Sequence, residues 1–300
     1  MRAAALAIVA ILFGGLVIVA PGDPRDAGLS TPTGTAGVEP DAPLRQQPRE
    51  LGTNQAPPTH RREQGRTAGR GKTPSAAALR SAWSYAQRRG GAVSVAVVNS
   101  EGQLRGRDED RRYAAASVVK AMLLAAEIRR LKQAGEPIDA QTDALLSAMI
   151  TSSDNEAADA IYTRVGDDGL EAVARRVGMR RFTVAGYWGN AQIAAADMAL
   201  MFGDLERALA RDHREYALGL LGSIVPEQSW GVPEAAGERW AVRFKGGWLP
   251  DHALAHQVAE LRERHADRKL SIAILTDQQP SHEYATATVQ GVAERLLERR

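Results

Sequence analysis

The stretch AAASVVKAMLLAAEI, residues 114–128, places a serine and a lysine in an almost wholly apolar helical pattern. Ser117 and Lys120 are three positions apart, so on a helix their side chains share one face, a turn apart. A serine hydroxyl becomes an effective nucleophile when a neighbouring base removes its proton. A lysine whose pKa is lowered by burial and a nearby cation can be that base, whereas an arginine keeps its proton. The pattern therefore predicts Ser117 as a nucleophile and Lys120 as its base.

Lysine at position 120 is informative because arginine is the usual cation of this chain. Only five of its 38 basic residues are lysines. At or near the helix start, the Ser117 backbone N–H is also a free donor in the positive end of the helix dipole, where an oxyanion is stabilised. The alternative is structural: Lys120 and Glu127, seven residues apart, could lie on one solvated stripe of the helix.

A second candidate motif is TSSDNEAAD, residues 151–159, between two helical stretches. In a functional interpretation, Ser153 relays a proton and the Asn155 amide holds a substrate carbonyl. In the structural alternative, Ser, Asp and Asn before a helix are ordinary N-terminal caps.

The third candidate is FKGGW, in which strand alternation places Lys245 on the face opposite the apolar residues. Gly246 and Gly247 would let a ligand backbone approach the strand closely. The Trp248 N–H could then complete an oxyanion hole together with that of Ser117. The alternative is a solvated strand lysine followed by a bulge.

These motifs must be positioned by the elements around them. Helical patterns open and close the region from residue 74 onward, as PSAAALRSAWSYAQRR and EYATATVQGVAERLLER. Strand patterns lie inside them: GAVSVAVVNS and a second strand after the turn NSEG, then residues 240–248, 254–262 and 269–277. The intervening sequence is mainly helical. This order predicts an α+β fold of three layers, with a five-stranded antiparallel sheet flanked by the terminal helices and an all-α lobe alongside.

The N-terminal part has a different composition. Residues 1–20 are apolar after Arg2, and we interpret them as a signal-anchor or transmembrane segment, with a cleaved signal peptide as the alternative. Residues 21–73 form a Pro-, Gly- and Thr-rich, locally basic segment that is expected to be a disordered linker. Residues 74–300 are the predicted catalytic domain. We expect it to lie outside the cytoplasm, on the membrane with the N-terminus inside, or to be secreted after cleavage.

Composition excludes several classes of function. A net charge of +2 gives no case for nucleic-acid binding, and the absence of cysteine removes disulfides and thiol catalysis. The histidines show no metal-ligand spacing, and no phosphate-binding glycine loop occurs. We therefore expect no metal and no cofactor. We also expect a monomer.

Taken together, Ser-x-x-Lys, Ser-Asp-Asn and Lys-Gly-Gly occur in this order, each in a suitable local context. The segments LLSAMITSSDNEAADAIYTRVGDDGLEAVARRVGM, SIVPEQSWGVPEA and SIAILTD add to the pattern. Residues 74–300 resemble the serine β-lactamase and penicillin-binding protein superfamily, and class A β-lactamases most closely.

The resemblance implies a role for each motif residue. Ser117 would be the acylated nucleophile and Lys120 its base. Ser153 would shuttle the proton to the leaving group, and Asn155 would hold the substrate amide. Lys245 would supply positive charge near Ser153 and the substrate carboxylate.

Two positions depart from the family pattern. Class A enzymes carry a glutamate on a loop that activates the deacylating water. Here that loop should lie within 183–191, and no Asp or Glu occurs between Glu171 and Asp197. Asn190 could orient a water but is not a base. Gly246 replaces the usual Thr or Ser, and the lost hydrogen bond to a carboxylate costs roughly 1.5–3 kcal/mol, about ten- to a hundredfold in affinity.

The expected function is a serine hydrolase acting through a Ser117 acyl-enzyme, with weak or absent β-lactam turnover. Its substrate would be a small molecule, or a peptide or ester such as a cell-wall peptide. The alternatives are an active β-lactamase, a D-alanyl-D-alanine peptidase or esterase, and a non-catalytic cell-wall binding module on the same fold.

Overall fold

The central sheet is antiparallel and combines strands from both ends of the folded region. A computed structural model describes residues 73–249 and 253–298. The strands are β1 (Ala92–Asn99), β2 (Leu104–Arg107), β3 (Arg112–Ala114), β4 (Gln192–Ala194), β5 (Trp240–Leu249), β6 (Leu254–Glu263) and β7 (Lys269–Asp277). Five of them form the sheet in the order β2-β1-β7-β6-β5, which confirms the predicted five-stranded sheet. β5 lies at its edge.

Helices cover both faces of this sheet. They are α1 (Ala76–Gln87), α2 (Lys120–Ala134), α3 (Ala140–Ser147), α4 (Asn155–Val177), α5 (Ala195–Gly203), α6 (Leu205–Ala208), α7 (Arg214–Leu221), α8 (Val232–Ala236) and α9 (His282–Leu296). The terminal helices α1 and α9 pack together on one face, and the helices from α2 to α7 form the lobe on the other side. The predicted three-layer α+β architecture is therefore confirmed.

Alternate residues of the central strands enter two separate cores. Val95 and Val97 pack on the side of the terminal helices, whereas Ala96 and Val98 pack on the side of the lobe. Successive strand side chains point to opposite faces, and both faces of this sheet are covered. This explains why β1 reads as a nearly continuous apolar run.

Two features of the lobe shape the surroundings of the site. Helix α4 consists of two helical segments that meet at a kink, where Gly166 has non-helical angles (φ 59°, ψ −170°). Glycine adopts such angles without the clash that a Cβ would cause. In addition, β3 and β4 form a small two-stranded sheet that strand periodicity did not reveal because each strand has only three residues.

Helix α2 runs through the middle of the lobe. Ten of its fifteen residues are buried, including Lys120 and Glu127. Glu127 accepts hydrogen bonds from Arg130 (2.7 Å) and Arg164 (3.1 Å), so its buried charge is compensated. The alternative of a solvated Lys120–Glu127 stripe is wrong.

Residues 1–20 and most of the 21–73 segment lie outside the described residues, so the anchor and linker stay predictions. Within the described part, no helix combines the length and apolar character that a bilayer crossing requires.

Candidate active site

Ser117 lies in a 3-10 turn, Ala116–Val119, that leads directly into α2. Its side chain is partly exposed, while Ala116, Val118 and Val119 are buried. Ala116 has φ 45°, in the left-handed region that non-glycine residues rarely occupy. Such strain persists where surrounding structure holds it and is concentrated at functional sites. The turn thus exposes the Ser117 hydroxyl, while its neighbours are packed in the core.

Gly247 packs directly against this turn. A Cβ on Gly247 would lie 2.7 Å from the Ser117 nitrogen and 2.8 Å from the Val118 nitrogen. Only a glycine permits so close an approach of the edge strand β5. The β5 backbone at Gly247, which precedes Trp248, therefore lies beside the Ser117 N–H. This is where the sequence predicts the oxyanion hole.

Lys120 is buried and directed towards the loop before α4. Its Nζ donates to the Ser153 carbonyl (2.5 Å) and to Asn155 Oδ1 (2.7 Å), with a longer contact to Ser153 Oγ (3.4 Å). Among the described residues, the Ser117 hydroxyl forms no hydrogen bond with it. Catalytic hydrogen bonds are often long in ligand-free sites and tighten with substrate, so this leaves the predicted base role as a proposal.

Lys245 also contacts Ser153. It is fully buried, and its Nζ donates to Ser153 Oγ (3.0 Å) and to the Gly246 carbonyl (3.0 Å). The alternative of a solvated strand lysine is therefore wrong. Ser153 itself has φ 63°, a second left-handed non-glycine residue in the site.

The capping interpretation of the Ser-Asp-Asn motif holds for Asp154, while the roles predicted for Ser153 and Asn155 stay predictions. Asp154 caps α4, because its carboxylate accepts from the Ala157 N–H at 2.7 Å. Ser153 and Asn155, on either side of this cap, contact the buried lysines instead. A capping residue and two site residues therefore share three consecutive positions.

Burial controls the charge of both lysines. It lowers the pKa of Lys120 to about 8, opposed by the negative charges of Asp154 and Asp159. Burial also lowers the pKa of Lys245 to about 7, and the nearby positive charge of Lys120 lowers it further. Removing a cation from water disfavours its charged form, as does a like charge nearby. Both lysines can therefore exchange protons near neutral pH, which general acid–base catalysis requires.

The short loop expected within 183–191 is closed by backbone pairing between Thr183 and Gln192. Its Asn190 donates to the Ala185 carbonyl (2.9 Å), so this amide stabilises the loop itself. Trp188 is buried, and the Lys120 Nζ lies 5.1 Å from the centre of its ring. This cation–π contact places an aromatic ring, and no loop carboxylate, next to the predicted base.

Carboxylates reach this loop from α4. Asp159 accepts a 2.6 Å hydrogen bond from Trp188 Nε1, and Asp167 accepts a 2.8 Å bond from the Gly186 N–H. The sequence analysis missed Trp188 and the role of Asp159. A signal was present for Asp159, because it lies four residues after Asn155 and so shares its helix face.

Gly246 is buried but has room for a Cβ. A Cβ there would meet only ordinary contacts, 3.7 Å from the His256 carbonyl and 3.8 Å from the Gln257 side chain. The Gln257 amide is already occupied by Trp230 and Val232 backbone groups, both at 2.7 Å. A small hydroxyl side chain would therefore fit at position 246.

Aromatic rings line the strand beyond these glycines. The Trp248 ring centre lies 6.4 Å from that of Trp230 and 6.5 Å from that of His282. Edge-to-face and tilted arrangements at such distances are favourable. The rings form an apolar wall next to the predicted oxyanion donors.

His256 lies on β6, next to the edge strand that carries Gly247. It pairs with Gly247 across β5 and β6, its Nε2 contacts the Ala114 carbonyl (3.0 Å), and its Nδ1 accepts from the Thr276 N–H (3.1 Å). Burial lowers the pKa of His256 to about 4, so the ring is neutral at pH 7. Within the described residues, no three histidine or acidic side chains are grouped to hold a metal ion.

The architecture that carries this site is the β-lactamase fold. A β-lactamase from Burkholderia vietnamiensis superposes with a TM-score of 0.66 at 19% identity, covering 75% of this chain and 96% of that one. One from Sphaerobacter thermophilus gives 0.64 at 19%, covering 74% and 96%. A class A β-lactamase from Mycobacterium abscessus gives 0.64 at 19%, covering 74% and 98%.

Family membership follows from the sequence comparison. A model of the β-lactamase enzyme family matches residues 136–299, more than half of the chain. This chain belongs to the β-lactamase enzyme family. No curated protein sequence matches it significantly.

Proposed function

We propose that this protein is a serine hydrolase that acts through a Ser117 acyl-enzyme and turns over β-lactams weakly or not at all. The observation that carries the proposal is the pair of buried lysines, Lys120 and Lys245, that both contact Ser153. Their pKa values, about 8 and about 7, suit proton transfer near neutral pH. Two buried cations of like charge are costly and are typical of functional sites.

The chemical step uses these groups in sequence. Ser117 Oγ attacks the substrate carbonyl carbon while neutral Lys120 accepts the hydroxyl proton. The Ser117 and Trp248 N–H groups stabilise the oxyanion. When the tetrahedral intermediate collapses, the bond from the acyl carbon to the leaving group breaks, and the leaving group takes a proton through Ser153. Lys120 and Lys245 replace the proton that the Ser153 hydroxyl gives to the leaving group. The acyl group remains on Ser117 as an ester.

Hydrolysis of that ester is expected to be slow. It requires a water activated by a base, and the loop at 183–191 contains no carboxylate. The position next to Lys120 is occupied by the Trp188 ring. The Asp159 carboxylate is held by the Trp188 indole N–H. These features favour an acyl-enzyme that persists.

We infer the substrate class from the residues around Gly246 and the location from residues 1–20. Gly246 offers no hydroxyl to a substrate carboxylate, and the wall of Trp230 and Trp248 favours an apolar acyl or leaving group. We infer an ester or amide substrate of this kind. The apolar segment at residues 1–20 supports a catalytic domain outside the cytoplasm, tethered to the membrane or secreted.

Intact-mass spectrometry of the protein with a penicillin and with an activated ester tests this proposal. We expect a covalent adduct that maps to Ser117 and decays over minutes to hours, and its loss in Ser117→Ala. Rapid decay with stoichiometric product release would identify an active β-lactamase instead. The hydrolase proposal fails if neither reagent forms an adduct at high concentration and long times.

A further inference from the structure

A second cationic site lies on the helical lobe, at the far ends of the helices that carry the catalytic groups. The groove runs between α2, α4 and α6 and has a volume of about 570 Å³. We call it the arginine groove. Its lining residues are Arg129, Gln133, Ala172, Arg175, Arg176 and Arg207, with no acidic residue among them. A smaller adjoining cavity of about 260 Å³ shares Arg129, Gln133 and Ala172 with the groove, and its own lining includes one carboxylate, that of Asp168.

Within the described part of the chain, three arginines of the groove lack the carboxylate partner that neighbouring arginines have. Arg130 and Arg164 share the buried Glu127, at 2.7 and 3.1 Å, and Arg175 pairs with Glu171 at 3.0 Å. Across the described residues, Arg129, Arg176 and Arg207 form no ion pair with a carboxylate. The groove therefore holds three guanidinium groups whose charge the fold leaves uncompensated.

Two of these guanidinium groups, those of Arg129 and Arg176, repel each other. Arg176 Nε donates to the Arg207 carbonyl at 2.7 Å, which fixes the Arg176 side chain and leaves its terminal nitrogens free. Burial and the charge of Arg176 both lower the pKa of Arg129. A neighbouring like charge disfavours the charged form of Arg129, and an anion bound between the two residues would offset that repulsion.

Helix dipoles explain only part of this cluster. Arg175 and Arg176 lie in the last turn of α4, where the helix C-terminus stabilises cations. Arg129 lies five residues before the end of α2, outside its last turn. The convergence of Arg129 with Arg176 on one groove therefore needs another explanation.

We propose that the arginine groove binds a phosphate group. Guanidinium forks match the oxygens of phosphate and form charge-assisted hydrogen bonds with it, and several arginines at one groove suit its multiple oxygens. The source is a soluble phosphate compound or an anionic lipid headgroup. Lys120 and Asn155 lie at the N-terminal ends of α2 and α4, so this groove is separate from the catalytic residues, and its occupancy does not depend on the proposed hydrolase function.

Calorimetric titration of the full chain at low ionic strength tests the site. The two probes are inorganic pyrophosphate and a water-soluble short-chain phosphatidylglycerol below its micelle concentration. We expect binding of at least one, and about tenfold or more weaker binding in Arg129→Gln and in Arg176→Gln, as for loss of a charge-assisted hydrogen bond. Preference for one probe identifies the source. The matched control is Arg80→Gln, which removes an exposed charge on α1 and should bind like the wild type.

A second measurement separates binding from a structural role. In phosphate-free, low-salt buffer, Arg129→Gln should melt at the same temperature as Arg80→Gln or higher, because it removes a repulsion. Absence of binding for both probes, equal weakening in the control, or a clearly lower Tm for Arg129→Gln would each overturn the proposal.

Discussion

Lys245 donates a 3.0 Å hydrogen bond to Ser153 Oγ, and the two residues are 92 positions apart in the chain. Lys120 approaches the same oxygen to 3.4 Å. One hydroxyl thus contacts two buried amines, whose pKa values are about 8 and about 7. Ser153 is well placed to pass protons between them, and several measurements can detect the consequences.

The rate of acylation should depend on pH through Lys120. The lysine must be neutral to accept the Ser117 proton, and its pKa is about 8. We expect the rate constant for adduct formation to rise up to about tenfold per unit well below pH 8 and to level off above about pH 9. Timed quenching with mass spectrometry between pH 6 and 9.5 measures this. Lys120→Arg should give no labelling, and a flat profile in the wild type would contradict the assignment of the base.

Introducing a hydroxyl at position 246 should improve recognition of carboxylate-bearing β-lactams. The structure leaves room for a Cβ at Gly246, with no atom nearer than 3.7 Å among the contacts it would make. Gly246→Ser should strengthen binding or acylation by a penicillin about ten- to a hundredfold through one charge-assisted hydrogen bond. Gly246→Ala is the matched control and should leave it near the wild-type value. An equal gain in both variants would exclude the hydroxyl as the cause.

The neighbouring glycine should tolerate nothing larger. Gly247→Ala would place a methyl group 2.7 Å from the Ser117 nitrogen, inside van der Waals contact. We expect the turn or the strand to shift, with a loss of about 1–3 kcal/mol in the free energy of unfolding and at least a tenfold slower acylation. Denaturant unfolding and adduct kinetics measure the two effects, with Gly246→Ala again as the comparison. Unchanged kinetics would show that this contact does not position the nucleophile.

Asp159 should influence the site through charge and through its hydrogen bond to Trp188. Its negative charge raises the pKa of Lys120. Asp159→Asn removes the charge but keeps an oxygen that can accept from the indole N–H, so the midpoint of the acylation profile should move to lower pH. Asp159→Ala removes both and should also release Trp188, making its ring more accessible to a fluorescence quencher. Trp188→Phe identifies the contribution of that ring, and identical pH profiles in the wild type and Asp159→Asn would refute the charge effect.

The buried lysines should make stability rise with pH. Unfolded lysine has a pKa of about 10.4, whereas folded Lys245 has a pKa of about 7. Between these values the unfolded state binds more protons, so the free energy of unfolding increases with pH, by at most about 1.4 kcal/mol per unit for each lysine. The destabilisation caused by burying the charged Lys245 is complete below pH 7 and disappears above about pH 10.4.

Urea unfolding at pH 7, 8 and 9 tests this dependence. Lys245→Met should be more stable than the wild type at pH 7 and should show a smaller increase towards pH 9. A variant with the same pH slope as the wild type would show that the Lys245 charge is compensated in the folded protein.

Local patterns in the sequence predicted most of the fold. Apolar periodicity and turn residues identified α1, α2, α9 and the five strands of the central sheet, because these signals depend on neighbours a few residues apart. The same approach missed β3 and β4, whose three-residue strands are too short for periodicity. The kink of α4 at Gly166 is likewise a property of the backbone, with φ 59° and ψ −170°.

For the candidate site, the sequence by itself determined which groups are present: Ser117 before a helix, a lysine one turn later, and a loop without a carboxylate. Only the tertiary structure decided how they meet. It buried Lys120 and Lys245 in contact with Ser153, placed Gly247 against the Ser117 nitrogen, and brought the Trp188 ring next to Lys120. Such contacts join residues far apart in the chain, and the burial that lowers the pKa of each lysine exists only once the lobe packs against the sheet.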